Sequence, residues 1–333
     1  MTGLNTSSHP SRKSTEPLSD PHLVEGYRRC AELTTRYGTT YRWGALLLRP
    51  ERRRDVHAVY ALCRLADDIV DDAAARSRTT DETRALLEGF AADFRTAVDT
   101  GTSPDPVLAA VAHTVRERRI EPECFDRFFG AMAMDLTTTR YRTWDDLCGY
   151  MEGSAAVIGE MMLPVLEPLD SAAFAPARSL GLAFQLTNFL RDVGEDLDRG
   201  RIYVPTDDLE RFGVDPEALA DPSVRGRRVT PAWRALMSFE IARNRELYAH
   251  ADQGLALLPP RSNRCVGAAR ILYARILDRI ERADYDVFAA RVRVPTWRKA
   301  LTAARVMVTG VRRPTGDGAG AGRSLPAAEG SAR

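Results

Sequence analysis

The chain has 333 residues, and its 47 basic side chains almost balance 46 acidic ones. This balance argues against a global field that would recruit nucleic acid, so no nucleic-acid partner is expected. The five cysteines are an odd number without a Cys-x-x-Cys pair, which argues against a disulfide framework and against structural zinc. No apolar run approaches the roughly 18 residues of a membrane span, and no apolar signal core lies near the start. We expect a cytoplasmic protein, with a peripheral contact to a membrane left open.

Apolar residues recur at helical spacing along most of the chain, with almost no period-2 alternation. This pattern predicts an all-α fold in a single helical domain at residues 21–310, flanked by disordered tails at residues 1–20 and 311–333. The predicted helices lie near residues 22–36, 50–72, 80–99, 105–119, 122–138, 144–166, 171–199, 231–257, 263–290 and 296–310. Thr143 and Thr230 are expected to cap two of them.

The second predicted helix ends in carboxylates. Asp67 and Asp71 are four residues apart, as are Asp68 and Asp72, and Arg64 lies one turn before Asp67. For Asp72 alone, a solvated helix end is the simpler interpretation. It is a poor interpretation of the whole cluster, because acid at a helix C-terminus opposes the macrodipole and like charges four residues apart repel. The cluster therefore indicates a ligand.

A second acidic stripe lies in the predicted helix at residues 171–199. Asn188, Asp192 and Asp196 follow one another at intervals of four residues, so they line one face of the helix. An isolated carboxylate that points into a bundle costs several kcal/mol unless a cation compensates it. The stripe therefore requires a compensating positive charge.

The donor atoms of both stripes are carboxylate and amide oxygens, without accompanying His or Cys. Such hard donors favour Mg²⁺, with Mn²⁺ as an alternative. Magnesium usually takes one or two protein carboxylates and completes its shell with water and phosphate oxygens, so a diphosphate substrate is indicated. The predicted metal ligands are Asp67, Asp71, Asn188, Asp192 and Asp196, of which the four aspartates are the predicted catalytic residues. Arg64 and Arg191 would contact the diphosphate directly.

Two motifs carry a family resemblance. The run from Arg64 to Asp71 and the run from Gln185 to Pro205 resemble the two aspartate motifs of the squalene and phytoene synthase family, the head-to-head prenyl synthases. The resemblance covers roughly residues 22–300 and implies an isoprenoid-synthase-type helical bundle with a central active-site cavity. The runs that begin at Tyr37, Asp135 and Ile276 are most similar to the phytoene-forming branch of the family.

The resemblance implies a prenyltransferase of carotenoid biosynthesis. Two molecules of geranylgeranyl diphosphate would condense, with Mg²⁺, through prephytoene diphosphate to phytoene and two diphosphates, and no NADPH is expected. The resemblance also implies metal binding at Asp67, Asp71, Asn188 and Asp192, to which we add Asp196. The substrate-binding residues carried over or matched in chemistry are Thr40, Tyr60, Arg64, Tyr150, Gln185, Arg191 and Tyr273.

The chain departs from the family pattern in two places. Gly38–Tyr41 stands where many members have Ser-x-Ser-Phe, so a hydroxyl contact to phosphate survives at Thr40 but its partner at position 38 is lost. The residues between Tyr150 and Gly159 also differ, which leaves the preferred tail length open. One alternative is therefore a squalene or dehydrosqualene synthase that uses farnesyl diphosphate. A more distant alternative is a non-catalytic lipid-binding or assembly subunit with the same fold.

Overall fold

The computed structural model describes residues 19–71, 77–221, 228–289 and 295–310. The predicted tails, apart from residues 19 and 20, lie outside the described residues, as do position 72 and the side chain of Thr40. Within the described ranges the helices are α1 (Pro21–Tyr37), α2 (Thr39–Ala45), α3 (Pro50–Asp71), α4 (Thr80–Thr100), α5 (Pro106–Arg118), α6 (Pro122–Met134), α7 (Trp144–Met151), α8 (Val157–Leu166), α9 (Phe174–Asp198), α10 (Thr206–Arg211), α11 (Pro216–Ala220), α12 (Pro231–Leu255), α13 (Pro260–Arg282) and α14 (Thr296–Thr309). A π-helical turn (Glu152–Ala156) joins α7 to α8, and a 3₁₀ turn (Ser171–Ala173) precedes α9.

The predicted all-α fold is confirmed. In the described part of the chain β pairing is limited to an isolated bridge between Arg140 and Ile202. Both predicted caps are present: Thr143 forms a capping box with Asp146, and the Thr230 hydroxyl accepts from the backbone N–H of Trp233. None of the described helices is both long enough and apolar enough to cross a membrane.

Some helix boundaries were predicted wrongly. The short helices α2, α10 and α11 were missed because five to seven residues are too few to show an amphipathic period. Helix α13 ends at Arg282 rather than 290, since Asp284 and Tyr285 adopt left-handed backbone conformations with φ of 56° and 62°. Helix α6 ends at Met134 rather than 138. The predicted helix at 144–166 is interrupted by the π-helical turn.

Helix α9 lies at the centre of the bundle, where it packs against α12, α8, α13 and the π-helical turn. Two glycines allow this packing. A Cβ atom on Gly181 would lie 2.2 Å from the Ala155 carbonyl oxygen, and one on Gly159 would lie 2.3 Å from the Ala177 carbonyl oxygen. These glycines therefore serve close approach of helix backbones, which fixes the position of α9 relative to the π-helical turn.

Candidate active site

A central cavity of about 880 Å³ opens between α3 and α9. Helix α3 forms one side of it and α9 faces it, while α7 and α13 contribute one predicted tyrosine each. Every predicted site residue whose side chain the structure describes lines this cavity: Tyr60, Arg64, Asp67, Asp71, Tyr150, Gln185, Asn188, Arg191, Asp192, Asp196 and Tyr273. The structure thus brings together residues that the sequence places more than 200 positions apart.

The first acidic wall consists of Asp67 and Asp71 on α3. Arg64, one turn earlier, donates to Asp67 over 3.2 Å and also pairs with Asp68. Its guanidinium carbon lies 4.2 Å from the centroid of the Tyr37 ring, so the arginine is held from both sides. These contacts therefore hold the Arg64 guanidinium beside the carboxylates, at the edge of the first acidic wall.

The second acidic wall consists of Asn188, Asp192 and Asp196 on α9. Arg191 precedes Asp192 and donates from Nε to its Oδ1 atom over 2.7 Å. The side chains of Arg191 and Asp192 are each 15% exposed. The helical spacing read from the sequence places all three polar residues toward the cavity, because four-residue steps stay on one helix face.

Burial and mutual repulsion make the two walls electrostatically costly. Burial, and then the neighbouring Asp71 carboxylate, raises the pKa of Asp67 to about 6. Burial, and then Asp192, raises the pKa of Asp196 to about 7. Both shifts show that a full set of anions is disfavoured without added positive charge.

Arg201, which the sequence analysis did not select, supplies part of that charge. Its guanidinium lies 2.8 Å from the Asp71 carboxylate and donates to the Asp135 backbone carbonyl over 3.2 Å. Arg199 also pairs with Asp71, over 3.3 Å. Arg199 and Arg201 therefore join the segment after α9 to the first acidic wall through ion pairs. Arg201 lies inside the second motif, and Asp135 begins another run that resembled the family, so a signal for both was present in the sequence.

The donor set fits a hard divalent cation. The walls offer carboxylate and amide oxygens, and burial raises the pKa of the nearby Cys63 thiol to about 12, so that it stays protonated and is a poor ligand. Among the described residues, no group of three or more His, Cys, Asp or Glu side chains is close enough to hold a metal unaided. A metal here would take its other ligands from water or substrate oxygens.

A second, apolar pocket of about 150 Å³ lies behind the cavity. The two spaces share Ser154, Ile158 and Gln185. Phe184 lines the apolar pocket and stacks on Tyr273 with ring centroids 4.2 Å apart. The site therefore combines a charged cavity with a hydrophobic space directly behind it, an arrangement that suits a ligand with a charged head and an apolar tail.

The helical bundle and its two acidic walls define a protein of the isoprenoid-synthase type. The chain belongs to the squalene/phytoene synthase family, whose model matches residues 34–298. The resemblance inferred from the two motifs is thereby confirmed.

Relatives and solved structures agree with this assignment. The chain is 36% identical to the phytoene synthase of Arthrospira platensis, over 90% of this chain and 96% of that protein. It is 37% identical to the chloroplastic phytoene synthase of Daucus carota, over 84% of this chain and 69% of that protein. A dehydrosqualene synthase crystallised with a ligand superposes with a TM-score of 0.77 and 25% identity, covering 85% of this chain and 96% of its own. A squalene synthase from Alicyclobacillus acidocaldarius gives a TM-score of 0.70 and 28% identity, covering 79% and 95%.

Replacing Arg201 with Gln should lower the free energy of unfolding by about 2–3 kcal/mol near pH 8, because a largely buried charge pair is lost. Arg201 favours the charged forms of Asp135 and Asp196, whose pKa values are both raised to about 7. Both carboxyls take up protons as the pH falls through 7, so the loss should shrink near pH 5.5. Urea unfolding at the two pH values measures this difference.

The matched control is Arg142→Gln, which removes an arginine whose side chain is 71% exposed and pairs with Asp207. An exposed pair contributes only about 0–1 kcal/mol. An Arg201→Gln loss that is no larger than this control, or that does not change with pH, would contradict the role assigned to Arg201.

Proposed function

We propose that this protein is a phytoene synthase, which condenses two geranylgeranyl diphosphates through prephytoene diphosphate to phytoene and releases two diphosphates. The observation that carries the proposal is the pair of facing acidic walls with an apolar pocket behind them. The similarity to phytoene synthases over most of the chain supports the C40 product. Because squalene and dehydrosqualene synthases are among the similar structures, a synthase that uses farnesyl diphosphate is the alternative to be tested.

The two acidic walls would hold the metal. Mg²⁺, or Mn²⁺, would stabilise the diphosphate as a leaving group when bound. The residues that would hold it are Asp67, Asp71, Asn188, Asp192 and Asp196. The raised pKa values of Asp67 and Asp196 support this assignment, since a cation between the walls would relieve the repulsion that, after burial, raises them.

The remaining polar residues would bind and orient the substrates. Arg64 and Arg191 lie at the edges of the two walls, where their guanidinium groups would contact diphosphate oxygens. The other substrate-binding residues in this proposal are Thr40, Tyr60, Tyr150, Gln185 and Tyr273. The apolar pocket would receive a prenyl tail and keep water away from the reacting carbons.

Aromatic rings beside the walls would steady the carbocations that follow diphosphate loss. Phe189 and Tyr203 stack with centroids 3.9 Å apart, and Tyr150 lies 6.0 Å from Tyr203. All three rings line the cavity. The negative face of an aromatic ring attracts a cation, and the attraction grows as water is excluded.

The proposed reaction involves no net reduction, so it requires no NADPH. We further propose a cytoplasmic location, supported by five cysteines that form no disulfide. Peripheral contact with a membrane for release of the hydrocarbon product is part of the same proposal. A non-catalytic subunit with this fold would be expected to have lost aspartates from the motifs, whereas both motifs retain theirs.

Purified protein with Mg²⁺ should convert geranylgeranyl diphosphate to a C40 hydrocarbon and release about two diphosphates per product, without NADPH. Chromatography of the products with each diphosphate, in the presence and absence of NADPH, checks this. Accumulation of a C30 product from farnesyl diphosphate, with no C40 product from the longer substrate, would overturn the proposed substrate.

Asp192→Asn should reduce product formation by about 100-fold or more, because a metal-binding anion is replaced by a neutral amide of the same shape. Asp198→Asn is the matched control, since Asp198 lies on the same helix but is exposed and does not line the cavity. Steady-state turnover of both variants, compared with that of the wild type, tests this prediction. Equal activity of Asp192→Asn and the wild type would favour the non-catalytic alternative.

Ser154→Phe should disfavour the longer substrate, because Ser154 lies where the charged cavity meets the apolar pocket. A bulky ring there would narrow the path of the tail. We expect kcat/KM for geranylgeranyl diphosphate to fall about 10-fold more than that for farnesyl diphosphate. Ser154→Ala, which removes the hydroxyl and adds no bulk, should leave the ratio of the two values unchanged. If both variants change the ratio equally, size at position 154 does not select the tail.

A further inference from the structure

Asp135 is a cavity carboxylate that belongs to neither acidic wall. It follows α6 directly and lines the central cavity beside Tyr150. The Tyr150 hydroxyl donates to Asp135 Oδ2 over 2.8 Å. The other oxygen, Oδ1, is buried and has no hydrogen-bond partner among the described residues. The other lining carboxylates, on the two acidic walls, face one another, whereas Asp135 holds a neutral phenol.

The contact between Asp135 and Tyr150 is held in place from both sides. Arg201 donates to the Asp135 backbone carbonyl, which fixes the end of α6. The Tyr150 ring is 2% exposed and lies 5.2 Å from the Tyr141 ring and 6.3 Å from the Phe189 ring. Rings packed this closely restrict rotation of the phenol, so its oxygen stays between Asp135 and the cavity.

The charges around the pair place the proton on Tyr150 at rest. Burial raises the pKa of Asp135 to about 7, while its hydrogen bond from Tyr150 and the Arg201 charge lower it and the Asp71 and Asp67 carboxylates on α3 raise it. Burial, and then the Asp135 charge, raises the pKa of Tyr150 well above 10. Near neutral pH Asp135 can therefore exist as a carboxylate and can also accept a proton.

We propose that Asp135 is a positioning residue that aims the Tyr150 oxygen into the cavity and takes up the Tyr150 proton when that oxygen deprotonates a substrate carbocation. This inference rests on the proposed function, in which each half-reaction begins with loss of diphosphate and ends with loss of a proton from carbon. In the first half-reaction the C–H bond breaks and its electron pair closes the cyclopropane ring; in the second, the electron pair of the broken C–H bond forms the central double bond. Each time, the proton goes to Tyr150 Oη as the original phenol proton moves to Asp135 Oδ2, and the released diphosphate takes that proton from Asp135 before the next transfer, so charge and atoms balance.

Asp135→Asn tests the relay, because the amide oxygen can still accept the Tyr150 hydrogen bond but cannot take up its proton. We expect turnover of geranylgeranyl diphosphate to fall about 100-fold or more, with KM changed less than about threefold. Proton removal should then limit the rate. A primary isotope effect with substrate deuterated at the reacting C1 carbon should therefore appear, or grow, relative to the wild type. Asp135→Glu, which keeps a carboxylate, should recover part of the turnover.

Tyr141→Phe is the matched control. The Tyr141 ring packs against the Tyr150 ring at an interplanar angle of 34°, but Tyr141 does not line the cavity and its buried hydroxyl has no hydrogen-bond partner among the described residues. Its turnover and isotope effect should match those of the wild type. If Asp135→Asn is folded by circular dichroism and turns over like the wild type, the proposal is wrong. It is also wrong if turnover falls without any increase in the isotope effect, because that would be a merely structural loss.

The wild-type reaction separates this proposal from the proposed function. Wild-type protein that makes the C40 product while Asp135→Asn is fully active contradicts only the relay. Wild-type protein that makes no C40 product contradicts the proposed function, and the relay argued on it, before any variant is measured.

Discussion

Repulsion between buried carboxylates is the constraint on which the site depends. The two acidic walls face the same cavity, and burial together with neighbouring carboxylates raises the pKa of Asp67 to about 6 and that of Asp196 to about 7. Such an arrangement would open or protonate unless other forces held it. The pairs from Arg199 and Arg201 to Asp71 provide part of the opposing attraction, by joining the segment after α9 to the end of α3.

The rest of that opposing force comes from the packing of α9. On its buried side the Thr187 hydroxyl lies 2.8 Å from the Tyr248 hydroxyl and accepts from the Asn244 amide over 2.8 Å, which joins α9 to α12. On another side Arg127 and Arg178 surround the Glu152 and Glu160 carboxylates, so α6, the π-helical turn, α8 and α9 share one ion cluster. These polar contacts favour one arrangement of the helices, and so help to hold the two acidic walls beside the same cavity.

The parts of the site that follow from local helical geometry could be predicted from the sequence. Asn188, Asp192 and Asp196 share a face because the helical period is set within one segment. That the two acidic stripes line one cavity could be expected from charge, since a buried stripe of carboxylates is unfavourable unless a positive charge compensates it. Arg201 and Asp135 could not be found in this way. Their hydrogen bond joins residues 66 positions apart, and only the packed bundle brings them together.

The π-helical turn is a backbone feature that the sequence pattern likewise did not predict. Periodicity predicted an uninterrupted helix at residues 144–166, because one widened turn changes the pattern of apolar residues very little. The turn nevertheless decides which side chains reach the cavity. Gly153 packs against α6, where a Cβ atom would lie 2.5 Å from the Arg127 carbonyl oxygen, while Ser154 lies between the cavity and the apolar pocket.

The lining of the cavity and of the apolar pocket limits which residues of the chain could set the preferred length of the prenyl tail. The stretch from Tyr150 to Gly159 departs from the family pattern, but Gly153 and Gly159 are committed to contacts with neighbouring backbones. Only Ser154 and Ile158 of this stretch line both the cavity and the apolar pocket. Tyr150 lines only the cavity, and Ala155 and Gly159 line only the apolar pocket, whereas a difference at the remaining positions of the stretch would act on helix packing first. In the proposed function, the difference between C20 and C15 substrates would therefore depend on the free volume beside the side chains that line the apolar pocket, Ser154 and Ile158 among them, because the acidic walls would bind the same diphosphate group whatever tail it carries.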